Sequence, residues 1–464
     1  MSSLFGLLNV GATGLHAQGF GMGVASQNAQ NANTVGYTRR DVRFDPISPP
    51  PDGGGGVAVR GSRRVMDQFL ERRLLGATAA KAEASSRSEA LSVLDRVLAD
   101  VEGGLGASLD DFEVALSELT GRPADPATRG QVLATAERLA VAFNQAAQEI
   151  DRTRADIDTQ IEREVDGINE TLRSIGELGV QIQKSEIGGR EASDLRDRRD
   201  QLVRELGEKL PVEVIAEDSG AIQVLLGGGP SLVNPDGSVA QLSAQPDATT
   251  GAMHLFRTTS GVDQDVTAYA DSGALGGLVA ARDGALADSE AALDQLAFDF
   301  AAAYNTAHAA GYGTDGVSGR NLFTPIAAVD GAAAAFSVST DVLGEPDRLA
   351  AASDPALAAG DNRNALALAA LADADIARGG RMTAQESLGA LVSEAGQAIR
   401  GAHLDADFAD DAAAQIQSMR DSVSGVSVDE EMIALSRYQR GYQASLRVVQ
   451  AADAMLQELV NLGR

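Results

Sequence analysis

Both ends of the chain carry an apolar stripe at helical spacing, and neither has enough neighbouring sequence to cover it. Residues 1–40 contain no Asp or Glu. Apolar or small residues recur there at Met1, Leu4, Leu8, Gly11, Leu15, Met22, Ala25, Ala29 and Ala32, with Gln18 the one polar intruder. Alternating steps of three and four mark the seam of an amphipathic or coiled-coil helix. The last 37 residues repeat the pattern with Val428, Met432, Leu435, Tyr442, Leu446, Val449, Leu456 and Val460, interrupted by Gln439 and Asp453. Ser427 with Glu430 after it predicts a capping box, and Asp429, Glu430 and Glu431 suit a first helical turn. A stripe must be buried against something, and the simplest partner for one end is the other.

Between the ends, the chain goes out as helix, changes to strand, and returns as helix. Residues 41–60, with Pro46, Pro49, Pro50, Pro51 and the run Gly53 to Gly56, predict a loop or extended hinge. Helix is expected over 62–120 with a break at Gly103–Gly106. It is expected again from Pro126 to Ile187 on a stripe of Val141, Ile150, Ile157, Ile161, Ile168, Leu172, Ile175 and Ile182. Gly188 and Gly189 stop that run, and a shorter helix follows over Ala192–Leu210. From Pro211 the residues alternate and turn signals fall at Asp218–Gly220, Gly227–Pro230 and Pro235–Gly237, a β-meander fading near Tyr269. Helix returns over 274–310, a loop-rich stretch with room for a small β element spans Gly311–Gly360, and helices near 363–378 and 384–421 lead into the last one. The fold class is mainly α with a β insertion, discontinuous and multidomain. Residues 1–60 with 425–464 form a terminal coiled-coil domain, 61–210 with 273–424 a helical middle domain, and 211–272 a small outer β domain.

Composition removes most enzyme classes. The 38 Lys and Arg against 66 Asp and Glu leave −28, which opposes nucleic acid and anionic membrane as partners. With no cysteine there is no disulfide, thiolate metal site or Cys nucleophile. The four histidines, His16, His254, His308 and His403, are far apart and lack a Ser or Asp constellation around them. Gly311, Gly313 and Gly316 fit GxGxxG, but the motif follows a helix rather than a strand, against a dinucleotide site. Asp405, Asp407, Asp410 and Asp411 lack the Gly and distal Glu of a calcium loop and read as a solvated helix start. No catalytic residue, metal ligand or cofactor is expected. The N-terminus makes a poor signal peptide, and no apolar run is long enough for a transmembrane helix.

Several segments resemble one family, the bacterial flagellar hook-associated protein 1 family. Ser26 to Arg40 (SQNAQNANTVGYTRR) is similar to an Asn-rich signature shared by flagellar rod, hook and junction proteins. Ser424 to Leu462 resembles the family's DEEM-containing ending. Asp194 to Val214 and Gly273 to Phe323 are similar to its helix-to-β junction and its returning helix. The insert at 211–272 is smaller than the projection many relatives carry. The resemblance implies a secreted structural subunit at the junction of hook and filament, exported unfolded, and not an enzyme. Its implied partners are copies of itself in a ring or helical zone, the hook protein, a second hook-associated junction protein, and an export chaperone on the C-terminal helix. Assembly residues expected from stripe and signature are Leu4, Leu8, Leu15, Asn28, Asn31, Asn33, Gly36, Tyr37, Met432, Leu435, Tyr438, Tyr442, Leu446, Val449 and Leu456. The asparagine amides are expected to meet a neighbouring subunit's backbone, against the plainer alternative of a helix end capped by Gly36. Tyr438 and Tyr442 suit an interface or intramolecular packing equally. A hook or rod subunit is the nearest alternative, since the N-terminal signature is shared. An acidic extracellular enzyme or binding module is a remote one.

Overall fold

The computed structural model describes residues 2–48, 55–98, 104–187, 189, 191–217, 219–249, 251–358 and 360–462. Met1, residues 49–54 of the expected hinge, Gly103, Gly188 and Asp218 lie outside them. Helix α1 (Ser2–Gln30) is followed by strands β1 (Arg40–Ile47) and β2 (Gly56–Arg64), then α2 (Gln68–Leu98), α3 (Leu105–Gly121), α4 (Pro126–Glu186) and α5 (Ser193–Lys209). Strands β3 (Val212–Ala216), β4 (Ile222–Leu226), β5 (Ser231–Val233), β6 (Gln241–Pro246), β7 (Met253–Thr259) and β8 (Val262–Asp265) come next. The return consists of α6 (Gly273–Ala281), α7 (Ala287–Ala310), α8 (Ala332–Ala335), α9 (Arg363–Ala369), α10 (Ala384–Ser424) and α11 (Val428–Leu462).

Helix α4 is the spine of the molecule. Asp125 caps it by accepting from the Ala127 N–H at 3.2 Å, Pro126 occupies its first turn, and its 61 residues span about 90 Å. Ile150, Ile157, Ile161, Ile168, Leu172, Ile175 and Ile182 are buried along one face. Val141, assigned to that stripe by spacing, is exposed instead, and Ala140 and Phe143 take its place.

The β segment is two three-stranded antiparallel sheets, β3-β4-β5 and β6-β7-β8, rather than one meander. Asn169 of α4 fixes β6 by donating to the Leu242 carbonyl at 2.9 Å and accepting from its N–H at 2.8 Å. Inner residues Val224, Leu226, Leu242 and Met253 join the same buried core as the helices. The expected loop at 41–60 contains an antiparallel pairing instead, from Arg40↔Arg64 to Ile47↔Gly56, and β2 runs past residue 60. Alternating Val42, Phe44, Val57 and Val59 favour strand, and Gly61, at φ +128°, accommodates the register shift beside Arg43.

Helices α2 and α10 run antiparallel as a stem. Glu71 meets Arg420 at 3.0 Å, Lys81 meets Asp410, Arg87 meets Asp405 at 2.5 Å, and Ser88 Oγ lies 2.7 Å from His403 Nδ1. The four-aspartate run therefore sits inside α10, not at a helix start. Above the stem, Phe112, Phe300, Tyr304, Phe323 and Phe336 form an aromatic cluster in an otherwise aliphatic core. The stretch 311–360 has isolated bridges but no strand among its described residues. Its Gly311–Gly316 turn closes on itself through Gly313 N–H to the Val317 carbonyl at 3.1 Å.

One buried and one half-buried group in this region, His308 and Glu113, titrate in opposite senses. His308 donates from Nδ1 to the Arg320 carbonyl at 2.8 Å and accepts at Nε2 from the Ala350 N–H at 2.9 Å, which requires the neutral ring. Burial lowers its pKa, so its contribution is present above about 6.5 and is lost as pH falls below that value. Burial, with Asp110 adding to it, pushes Glu113 up to about 7. The folded chain then holds a proton that the unfolded chain releases above 4.5, and stability declines as pH rises from there through about 7. Glu113→Gln is expected to stabilise by about 1 kcal/mol at pH 8 and by almost nothing at pH 4, read from urea midpoints. An equal effect at both pH values would remove the assignment.

Candidate assembly interface

Helices α1 and α11 pack antiparallel at very close range. A β-carbon added to Gly11 would come within 2.6 Å of Val449 Cγ2, one on Gly14 within 2.7 Å of Ser445 Oγ, and one on Gly21 within 2.6 Å of the Tyr438 ring. Gln18 lies over Gly441, whose own missing side chain makes room for it. A β-carbon at these positions would collide with the side chains of α11, so those side chains or the helices would have to shift. The seam on α1 is Gly11, Gly14, Gln18, Gly21, Ala25 and Asn28, a 3.5-residue repeat. Spacing places Gly11, Gln18 and Ala25 on this seam, as observed, but adds Leu15, Met22 and Ala29, each one residue further on. On α11 Tyr438, Gly441, Ser445, Val449 and Ala452 face the partner helix, so Val449 lies on the expected stripe while Tyr442 and Leu446 are one residue off the seam.

Apart from Tyr438 and Val449, several large apolar residues of α11 are turned away from α1. Met432 is 56% exposed, Leu446 39% and Tyr442 37%, and Val460 is exposed on the same side, while Ile433, Met455 and Leu459 are exposed elsewhere round the helix. Leu435, Val449 and Leu456 are half-buried at the margin, as are Leu4, Leu8 and Leu15 on α1, where Phe5 and Leu7 are exposed. Tyr438 is half-buried over Gly21 within its own chain. The pair thus satisfies one face of each helix and leaves a second apolar face on α11 open to solvent.

The asparagine signature does something other than the expectation of amides meeting a neighbour. Asn28 is buried and both functions of its amide are used at home: Nδ2 donates to the Arg40 carbonyl at 2.9 Å, and Oδ1 accepts from the Arg40 N–H at 3.1 Å and the Tyr37 hydroxyl at 2.8 Å. It folds the segment 31–39 back on α1 as a neighbouring strand would. Asn31 donates to the Gln27 carbonyl at 2.8 Å and accepts from Thr34, Gly36 supplies the left-handed turn at φ +81°, and Asn33 is exposed. Burial pushes Tyr37 up to about 12, so its hydroxyl stays a donor. The Arg40 guanidinium lies 4.9 Å over its ring.

Arg40 and Arg64, paired across the end of the hairpin, reach into the carboxylates of α5. Arg40 contacts Asp194 at 2.5 Å and Asp197 at 3.3 Å, and Arg64 contacts Asp197 at 3.1 Å and Asp200 at 2.6 Å. Burial alone would raise Asp200, but Arg64 and Arg199 together hold it below the usual carboxylate range. Next to them Arg39 bridges Glu430 and Glu431, each at 3.1 Å, and its N–H donates to the Ser424 carbonyl at 3.0 Å. This clamp ties both terminal helices to the helical body. Sequence reasoning missed it because Arg64 and Asp200 stand 136 positions apart. The one local hint was the dense charge run from Asp194 to Asp200.

Among the described residues, no group of three or more His, Asp or Glu is placed to hold a metal, and no helix is long and apolar enough to cross a membrane. Asp197→Asn removes the one carboxylate that Arg40 and Arg64 share but leaves them Asp194 and Asp200, and is expected to cost about 1–2 kcal/mol in urea unfolding. Two glycines of α1 provide an internal contrast. Gly21→Ala should reduce hydrogen-exchange protection across α1 and α11. Gly23→Ala, with nothing within 4 Å of an added β-carbon, should raise it through better helix propensity. Equal protection in the two variants would remove the close-approach account.

Residues 91–323 match the family model described as the flagellar hook-associated protein FlgK helical domain, and residues 418–462 match the flagellar basal body rod FlgEFG protein C-terminal model. The chain is 28% identical to flagellar hook-associated protein 1 of Salmonella typhimurium (strain LT2) and 27% identical to that of Escherichia coli (strain K12), each across 98% of this chain and 99% of the relative. The Bacillus subtilis (strain 168) protein of the same description is 26% identical across 99% of both. Among solved structures, the flagellar hook junction protein FlgK from Burkholderia pseudomallei shares the fold with a TM-score of 0.68 at 17% identity, over 76% of this chain and the whole of that one. The chain belongs to the flagellar hook-associated protein FlgK family, structural proteins of the bacterial flagellum.

Proposed function

We propose that the protein is the subunit of the first junction zone between hook and filament. The observation that carries this reading is the open apolar face of α11, from Met432 through Leu446 to Val460, on a helix pair already closed on its other side. An isolated chain with a charge of −28 has no reason to expose such a face. Subunits leave the cell unfolded, and their terminal helices become fully ordered as copies stack, so that folding and assembly are coupled. Residues 1–60 with 425–464 act as the assembly unit, 61–210 with 273–424 as the helical body, and 211–272 as the outward part. The hook protein lies below, a second hook-associated protein above, and an export chaperone covers the C-terminal helix before secretion.

The test is a strain lacking its own copy of the gene, complemented with a Met432→Glu, Leu446→Glu double variant. Retained hooks, secreted subunits and no filaments are expected. Normal filaments would refute the reading. Loss of the hook itself would favour a hook or rod subunit, the alternative that the rod-type match at 418–462 supports.

A further inference from the structure

The stem of α2 and α10 carries two uncovered patches of complementary chemistry on opposite sides. On α2, Phe69 is 58% exposed with the Arg73 guanidinium 5.7 Å from its ring centre, and Arg72 is exposed beside them. Neither Arg72 nor Arg73 makes an ion pair among the described residues. On α10, Phe408 is 71% and Leu404 57% exposed, flanked by exposed Asp407 and Asp411, which likewise make no ion pair among the described residues. Their neighbours Asp405 and Asp410 are engaged by Arg87 and Lys81 inside the stem.

Helix geometry places these patches back to back. Glu71 of α2 and Asp410 of α10 face the opposite helix of the stem, and Phe69 and Phe408 each lie two residues away, about 200° round their own helix. The level of Phe69 on the stem corresponds to about Ser422 on α10, since Glu71 meets Arg420. Phe408 is therefore displaced from Phe69 by roughly 20 Å along the axis.

We propose that these patches are a contact between successive copies of this chain, the Phe69–Arg72–Arg73 patch of one seating on the Leu404–Asp407–Phe408–Asp411 patch of the next. Three observations select a second copy as the occupant. Each patch joins a large apolar side chain to charges without partners, and the signs are opposite. The two lie on opposite sides of one rigid stem, so contact cannot be self-complementary and must propagate head to tail. The offset of roughly 20 Å and the stem between them keep the two patches of one chain from meeting each other, so the charges of each can be matched by those of another copy. The axial offset makes each added copy step along its neighbour, which gives a ring of tilted stems or a helical row. The inference rests on the polymer reading above and extends it from the terminal helices to the body.

Charge exchange tests it in the same complemented strain. Arg72→Glu with Arg73→Glu, and separately Asp407→Arg with Asp411→Arg, put like charges across the contact. Each pair is expected to lower filament number about tenfold or more. The fourfold variant, with the charges exchanged, is expected to return it toward the unsubstituted level. Thermal melts of the purified full-length variants should coincide, since all four side chains are exposed. Full filament number in either pair variant would overturn the proposal. Two defective pairs without recovery in the fourfold variant would overturn the second copy as the occupant. The Met432→Glu, Leu446→Glu variant separates the two readings. If it blocks filaments while the stem variants are silent, only the stem contact fails; if it is silent as well, the polymer reading falls with it.

Discussion

The approach of α1 to α11 through a seam of glycines is the constraint on which the rest of the architecture depends. Once the first and last helices must lie backbone against backbone, everything between them is a closed excursion. It leaves through the hairpin and α2, turns at the β sheets, and comes back through α7 and α10. The glycines also decide which residues remain outside. A leucine seam would have used the apolar residues of α11 to close the pair. A glycine seam closes it with Tyr438, Gly441, Ser445 and Ala452, and releases Met432, Leu446 and their neighbours for another surface. Close packing inside the chain and exposed apolar area outside it are two effects of one choice of residue.

A helix pair this thin has little to hold its direction relative to the body, and the buried charges supply that. Arg40 and Arg64 are fixed side by side by the hairpin ladder, and α5 presents Asp194, Asp197 and Asp200 to them. Desolvating such a set costs nearly what the pairing returns, so its value lies less in net stability than in geometry. A guanidinium fork meeting fixed carboxylates has few satisfactory arrangements. Asn28 adds a second fixed point by completing both backbone bonds of Arg40, the residue that enters the clamp. The arrangement explains why an Asn-rich segment follows α1 without requiring a neighbouring subunit to satisfy it.

Much of this fold was legible, and the failures have specific causes. Helix α4 was readable nearly to its ends, because one long stripe between a Pro start and a Gly stop admits few alternatives. The pairing of the termini followed from two stripes lacking cover. What misled was the weight given to size: Leu15, Met22, Tyr442 and Leu446 look like a seam, yet the helices meet one residue away at Gly14, Gly21, Gly441 and Ser445. Hydrophobic periodicity marks apolar faces without distinguishing those buried within the chain from those left open, and on these helices it sums the two. The hairpin was hidden by its prolines and glycines, although Val42, Phe44, Val57 and Val59 alternate around them. The clamp was invisible because ion pairs between residues more than a hundred positions apart leave no local pattern.

The two open surfaces of the molecule differ in kind, and that difference has a physical use. The exposed face of α11 is mainly apolar but broken at Gln439 and Asp453, so in the proposed assembly it would supply association free energy with only a coarse register. The stem patches are small and charged, so they contribute little area but distinguish one alignment from the next. An assembly built on the first alone would stick in many registers, and one built on the second alone would be too weak to hold. With the clamp joining them, the position of the stem in the proposed assembly would dictate where the terminal pair arrives, and the apolar face would then secure it. The acid-free N-terminal helix fits the same logic. In a chain of net −28, stacking helices must come together where repulsion is least, and residues 1–40 contain no carboxylate to oppose it.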